Sequence, residues 1–239
     1  MLPQMVRSMM REGVLGRALD QGLVQVGVHD LRDLSTDRRR TVDDAAYGGG
    51  PGMVLKADPF FGALSTIRLQ HGMPDAVVLL SPQGRRFCHQ EALRLSQLSH
   101  VALLCGRYEG VDERVRDQLA TEELSIGDYV LTGGEVPAAV VIDAVARLIP
   151  GVVGDNRSVE QDSFVRGLLD YPHFTRPAEV KTQMVPDVLM SGDHGEIRRW
   201  RKQEALKRTL ERRPDLLERA VLDDEERALL RELKDDGTA

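Results

Sequence analysis

The residues of this chain best placed to do chemistry are glycines that fall where an apolar run ends. From Leu124 to Pro137 the sequence reads L-S-I-G-D-Y-V-L-T-G-G-E-V-P. A short apolar stretch, Tyr129 to Leu131, meets Thr132-Gly133-Gly134, and the apolar segment Val136 to Ile149 follows at once. That order predicts a strand, a tight turn and a helix. Glycine has no Cβ, so backbone can approach backbone or a ligand there, and a helix start offers free N–H groups to that ligand. Spacing alone leaves a plain turn equally open, because neither GxGxxG nor GxxxxGK[ST] is present. Two more polar, glycine-bearing stretches follow apolar runs: Ser81 to Gly84 after Ala76 to Leu80, and Gly106 to Gly110 after His100 to Cys105. Ligands of mostly parallel sheets sit beyond the carboxyl ends of the strands, so the three stretches are expected to converge on one pocket. A fourth, Tyr47-Gly48-Gly49-Gly50-Pro51-Gly52, locks a proline between glycines. That composition favours a shaped loop over a flexible connection.

Charge points elsewhere. Arg198, Arg199, Arg201 and Lys202 surround Trp200, the one tryptophan, and Arg38 to Arg40 form a second basic cluster. Positive charge beside a stacking face suits RNA, while a helix with a solvated basic side and a core tryptophan is an equally open reading. The net charge of −6 argues against indiscriminate nucleic-acid binding and leaves room for a local basic face. With four Tyr and five Phe, a broad stacking platform is not expected. The two cysteines, Cys88 and Cys105, lack CxxC spacing and a neighbouring His pair, which speaks against a zinc site and a disulfide framework. No run approaches the roughly 20 apolar residues of a membrane span and no signal peptide is evident, so a cytoplasmic protein is expected.

The elements that must carry these residues follow from periodicity. Val14 to Leu23 has helical spacing and Val24 to Val28 alternates as a strand does. Pro59 to Gln70, Gln90 to Leu98 and Asp112 to Gln118 read as helices, with Ala76 to Leu80 and His100 to Cys105 as buried strands between them. Strands alternating with helices predict an α/β domain with a mostly parallel sheet. After Pro150 the chain turns polar, and Gly151 to Ser163 suits a linker. Asp193 to Arg213 and Asp223 to Lys234 read as helices, the first with Asp193 as N-cap and Glu196 in capping-box spacing. The organisation expected is a first domain over 1–150, a linker over 151–168 and a helical domain over 169–239.

With these stretches laid out, the sequence resembles the bacterial tRNA (guanine-N1)-methyltransferases. The carrying segments include Y-G-G-G-P-G-M at Tyr47 to Met53, L-S-P-Q-G at Leu80 to Gly84, C-G-R-Y-E-G-V-D-E-R at Cys105 to Arg114, and S-I-G-D-Y-V-L-T-G-G-E at Ser125 to Glu135. R-L-I-P-G-V at Arg147 to Val152, D-S-F at Asp162 to Phe164, G-L-L-D-Y-P-H-F-T-R-P at Gly167 to Pro177 and S-G-D-H-G-E-I-R-R-W-R at Ser191 to Arg201 extend it over nearly the whole chain. Family members also carry an apolar strand ahead of the segment that here reads M-L-P-Q-M, so one sheet strand is expected to be missing.

The resemblance implies a SPOUT-type α/β domain with a trefoil knot, a small C-terminal helical domain, and a homodimer with shared active sites. It implies that S-adenosylmethionine is held by Leu80, Ser81, Pro82, Gly106, Tyr108, Glu109, Ile126, Gly127, Tyr129, Leu131, Gly133, Gly134 and Pro137. Asp162 is implied as general base and Arg147 as electrostatic helper. Seen bare, an Asp in a polar linker is usually just solvated, and an Arg at a helix end can be a macrodipole partner. The implied substrate is the guanine 3′ of the anticodon (position 37) in a tRNA anticodon stem-loop, contacted by Asp43, Gly52, Ser158, His173, Arg198, Arg199, Trp200 and Arg201. Magnesium dependence is a family expectation, although no cluster has metal-ligand spacing. A methyltransferase with another RNA target and a non-catalytic RNA-binding module are the alternatives.

Overall fold

A computed structural model describes residues 2–35, 37–155, 159 and 161–235. Ser158, one of the expected RNA contacts, lies outside the described residues. The chain forms two compact units, residues 1–156 and 157–239.

The first unit is built on three parallel strands, β3 (Ala76–Arg86), β4 (Val101–Cys105) and β5 (Glu122–Ser125), in the order β4-β3-β5. The first five residues of β3 are apolar without interruption because both faces of the sheet are covered. Val77 and Leu79, with Ala102 and Leu104 of β4, face helices α3 (Ala57–His71) and α5 (Glu113–Gln118), where Phe60, Leu64 and Val115 are buried. Val78, Leu80 and Leu124 point the other way, onto Leu95 of α4 (His89–Ser96) and Val141 of α6 (Glu135–Ala146). Alternation along a strand thus divides one apolar run between two cores. A two-strand ribbon, β1 (Asp43–Asp44) and β2 (Val54–Leu55), brackets the Tyr47 to Gly52 loop.

The sheet differs from expectation in three places. Helices α1 (Pro3–Met9) and α2 (Gly13–Asp20) precede Val24 to Val28, which alternates in burial but is not a strand. Val24, Val26 and Val28 pack against Leu15 and Ala146, yet among the described residues no neighbouring segment gives their backbone a ladder, so the period is present without the pairing. The strand placed at Tyr129 to Leu131 is also corrected. The ladder runs at Glu122–Ser125, and Tyr129, Val130 and Leu131 lie 55%, 82% and 40% exposed in irregular backbone. Finally, β3 does not end at Leu80. It pairs with β5 up to Leu80, slips register, and resumes at Arg85 and Arg86, so Ser81 to Gly84 is a bulge within a strand. Gly84 lies on the backbone of Leu124, where an added Cβ would come within 2.5 Å of the amide nitrogen.

The second unit carries a small antiparallel ribbon, β6 (Glu179–Val180) with β7 (Gln183–Met184), then α7 (Asp187–Met190), α8 (His194–Arg212) and α9 (Asp224–Asp235). Leu229, Leu230 and Leu233 repeat at the helical period and meet Leu206 and Leu210 of α8. Within the stretch 151–168, Leu168 is part of this core and the Arg166 guanidinium pairs with the buried Glu226 at 2.7 Å. Leu169 N–H donates to the buried Thr209 hydroxyl at 2.9 Å.

Candidate functional site

Sheet register brings the three glycine stretches of the first unit to one edge. Leu80 pairs with Cys105 on one side and Leu124 on the other, so the bulge of β3 and the ends of β4 and β5 lie at neighbouring points. The second and third stretches are joined directly. Gly134 N–H donates to the Gly106 carbonyl at 2.8 Å, and Arg107 pairs with Gly133 through an isolated bridge. Gly134 is pressed against the strand end: a Cβ there would stand 2.7 Å from Cys105 Cα. The first stretch reaches the third through Arg86, whose guanidinium meets Asp128 at 2.6 Å, and through Phe87 N–H to the Ser125 carbonyl at 2.7 Å. Leu80, Ser81, Pro82, Gly106, Tyr108, Glu109, Ile126, Gly127, Tyr129, Leu131, Gly133 and Gly134 therefore sit on connected segments, and Pro137 stands in the first turn of α6.

The walls offered there are apolar and half-exposed. Tyr108 holds a left-handed backbone (φ 61°) and is 52% exposed, a conformation uncommon outside glycine. Gly127 has Tyr129 folded over it, so a Cβ at 127 would lie 2.4 Å from the ring. Glycine backbone flanked by aromatic and aliphatic faces fits a nucleoside-like group, which needs close amides for its polar edge and flat apolar surface for its ring. The Cys105 thiol, beneath the turn, is pushed up to about 12 by burial and by the Glu135 carboxylate. It is a packing group and not a nucleophile.

A shaped loop buttresses this edge. Glu109 N–H donates to the Met53 carbonyl at 3.1 Å, Leu55 N–H donates to the Gly110 carbonyl at 3.0 Å, and Gly52 (φ 82°) leaves room only for the Glu109 side chain. Gly52 thus stands beside the glycine stretches, and Asp43 lies in the ribbon opposite Leu55.

Arg147 ends α6 as its C-cap residue, while Asp162 belongs to the second unit. Asp162 sits half-buried in a tight turn whose following residues are held firmly: Phe164 N–H donates to the Leu168 carbonyl at 2.8 Å and Asp170 N–H to the Ser163 hydroxyl at 3.0 Å.

In the second unit, a groove of about 650 Å³ is lined by Tyr171, His173, Phe174, Arg176, Trp200 and Arg201 together with Ala178 and Val185, which flank the ribbon, and apolar residues of α7 and α8. Arg201 lies 4.9 Å over the Tyr171 ring, Phe174 and Trp200 are 6.4 Å apart, and His173 meets Asp170 at 2.8 Å. The basic cluster is divided. Lys202 is tied to Asp223 and Glu225 at 2.8 and 2.6 Å, and Arg199 stands 4.0 Å from Glu232, whereas Arg201 faces the groove. Among the described residues no group of three or more His, Cys, Asp or Glu stands close enough to hold a metal ion.

Two residues that sequence reasoning passed over stand among these glycines. Arg107 and Glu135 form an ion pair at 3.0 Å, each immediately beside a glycine of the joined stretches. Opposite charges flanking two ligand-type glycines were the available signal.

Comparison with known proteins places these features in context. A family profile described as tRNA (Guanine-1)-methyltransferase TrmD matches residues 1–219. A tRNA (guanine-N(1)-)-methyltransferase of Pelotomaculum thermopropionicum is 52% identical over 234 residues, 98% of this chain and 93% of the relative. Those of Geobacter metallireducens and Dictyoglomus turgidum are 49% and 50% identical, over 98% and 97% of this chain and 96% and 93% of their own lengths.

Proposed function

The chain belongs to the tRNA (guanine-1)-methyltransferase family, and from that premise we infer that it transfers a methyl group from S-adenosylmethionine to N1 of a guanine in tRNA. We read that guanine as the one 3′ of the anticodon, position 37. The observation that carries the donor site is the joining of Gly106 and Gly134 at the carboxyl edge of the sheet, with Tyr108, Tyr129 and Leu131 around it. A SPOUT-type domain knotted in its carboxyl half belongs to this reading through the family resemblance of the same stretches. A homodimer with active sites shared between subunits belongs to this reading.

When bound, the donor supplies an electrophilic methyl on a positively charged sulfur. The chain must hold that methyl and guanine N1 in line at near-attack distance. Neutral N1 carries a proton, and Asp162 is the base that accepts it as the new bond forms. Negative charge then grows toward O6, where the Arg147 guanidinium offsets it. A carboxylate is a weak base for such a proton, so the two residues share one barrier. The half-buried turn that holds Asp162, with Ser163 and Phe164 locked behind it, supports a positioned base over a solvated one. Around the second unit's groove, aromatic rings beside Arg176 and Arg201 support contact with an unstacked anticodon loop.

Labelled methyl transfer to tRNA, followed by mapping of the modified base, tests this. Transfer to N1 of that guanine, lost in a tRNA changed only at that base, is expected. Transfer elsewhere would make the chain a methyltransferase for another RNA target, and RNA retention without transfer would make it a binding module.

A further inference from the structure

We propose that Arg107 and Glu135 are the positioning pair of the methyl-donor site, a buried clasp that sets the shape of the glycine turn. The inference rests on the donor reading above. Arg107 Nη1 lies 3.0 Å from Glu135 Oε2, with side chains 20% and 5% exposed. The pair closes over Gly133. A Cβ on Gly133 would meet Glu135 Oε2 at 2.5 Å, Arg107 Nη1 at 2.8 Å and Arg107 Cγ at 2.9 Å. The clasp therefore fills the space where any side chain at 133 would go, and it does so where the Arg107 and Gly133 backbones bridge. One residue precedes Tyr108 and the other opens α6, so the pair spans both stretches that frame the donor.

A pair kept only for stability would be expected to satisfy its atoms. This one does not: Glu135 Oε1 is buried and has no hydrogen-bond partner among the described residues. A buried acceptor without a donor is costly, and removing one member of a buried pair strands the other charge. Such a cost is tolerated where geometry serves function. The clasp touches no reacting atom in this account. It acts through Gly133 and Gly134, which is why its loss should register in donor affinity ahead of fold stability.

Calorimetry with S-adenosylhomocysteine on the full chain is the test. Arg107→Ala and Glu135→Gln are expected to weaken binding about ten- to a hundredfold, with native circular dichroism at the assay temperature and a Tm lowered by the stranded partner but still well above that temperature. Arg107→Lys, which keeps the charge and loses the planar fork, should recover part of the loss. Gly133→Ala should weaken binding in the wild-type background and add less to Arg107→Ala, because two of the three atoms it collides with, Arg107 Nη1 and Cγ, are gone and Glu135 is freed from its partner. Unchanged affinity in folded variants, losses that merely follow Tm, or strict additivity with Gly133→Ala would each overturn the clasp. Should Glu135→Gln fail to fold, Arg107→Lys and the Gly133 cycle decide it. Absence of binding by the wild-type chain would instead remove the donor pocket itself.

Discussion

At the scale of single residues, burial separates two groups of the same type. Cys88 is exposed, whereas Cys105 lies under the glycine turn with its thiol pushed up to about 12. At neutral pH only Cys88 should react with iodoacetamide, and peptide mapping after brief alkylation checks it; rapid labelling of native Cys105 would mean that the turn opens. Gly134 is equally exposed to test. Gly134→Val drives side-chain atoms into the Cys105 backbone and is expected to abolish S-adenosylhomocysteine binding, measured by calorimetry, while the helical signal of the second unit persists. For the reaction itself, Asp162→Asn removes the basic oxygen and keeps the size. Single-turnover methylation should fall about 10² to 10⁴-fold, with partial recovery as pH rises toward guanine ionisation. Near-normal rates at neutral pH would show that Asp162 is not the base. Gly134 was legible in the sequence as a turn before a helix, because paired glycines stand directly ahead of the apolar segment from Val136, while spacing left a plain turn as open as a ligand loop. Arg107 and Glu135 were not, since nothing in spacing tells that two charges 28 positions apart will meet in a dry place.

Elements were legible where period and partner agree. Helix α8 begins where Asp193 announces it, with Oδ1 accepting from Gly195 N–H at 2.8 Å and Glu196 N–H at 3.1 Å. The reciprocal capping box formed one helix later instead. Asp223 Oδ1 accepts from Glu226 N–H and Glu226 Oε2 accepts from Asp223 N–H, both at 2.8 Å. Glu226 also holds Arg166, so Glu226→Ala should destabilise the second unit by about 2 kcal/mol, checked by denaturant unfolding. A loss below experimental error would sink the capping argument. Tyr129 to Leu131 misled because a short apolar and aromatic run imitates a strand even where its backbone is exposed and unpaired in a ladder. Val24 to Val28 misled because alternation reports which side is buried and cannot report whether a neighbour exists. Acid should reveal the Asp223 contact as well. Lys202 and the Glu226 N–H hold its carboxyl below the usual range. The stability this contributes is present above the unfolded value, near 4, and is lost as pH falls through the lower folded value. Thermal melts should therefore show wild type ahead of Lys202→Ala at neutral pH, with the gap closing in acid. A gap that does not narrow would remove this linkage.

At the scale of the molecule, the proposed base and its proposed electrostatic helper are carried by different units. Active sites shared between subunits would let inactive partners complement. Asp162→Ala mixed with Tyr108→Ala under subunit exchange is expected to recover part of the activity, up to the fraction of mixed dimers that assemble one intact site. No recovery despite proven heterodimers would favour a site made within one chain. A change in the protein's character after Pro150 was legible from composition alone. The proposed knot was not, since a rule that makes knots nearly absent steers any reading of periodicity toward an unknotted sheet, and the family resemblance alone supplied it.

The loop from Tyr47 to Gly52 leans on the proposed donor edge through one short span of backbone, Met53 to Glu109, and through the Glu109 side chain beneath Gly52. If that loop also meets tRNA, the two ligands share a wall, and their affinities close a thermodynamic box. Whatever factor S-adenosylhomocysteine adds to tRNA affinity, tRNA must return to S-adenosylhomocysteine, and couplings of this kind typically run from about 5-fold to 150-fold. Measuring each dissociation constant with and without the other ligand gives the factor twice. Replacing Gly52 with alanine forces Glu109 aside and should bring both measurements toward one together, even where each ligand alone still binds. A factor of one in the wild-type chain would mean that the wall is shared in space and not in free energy.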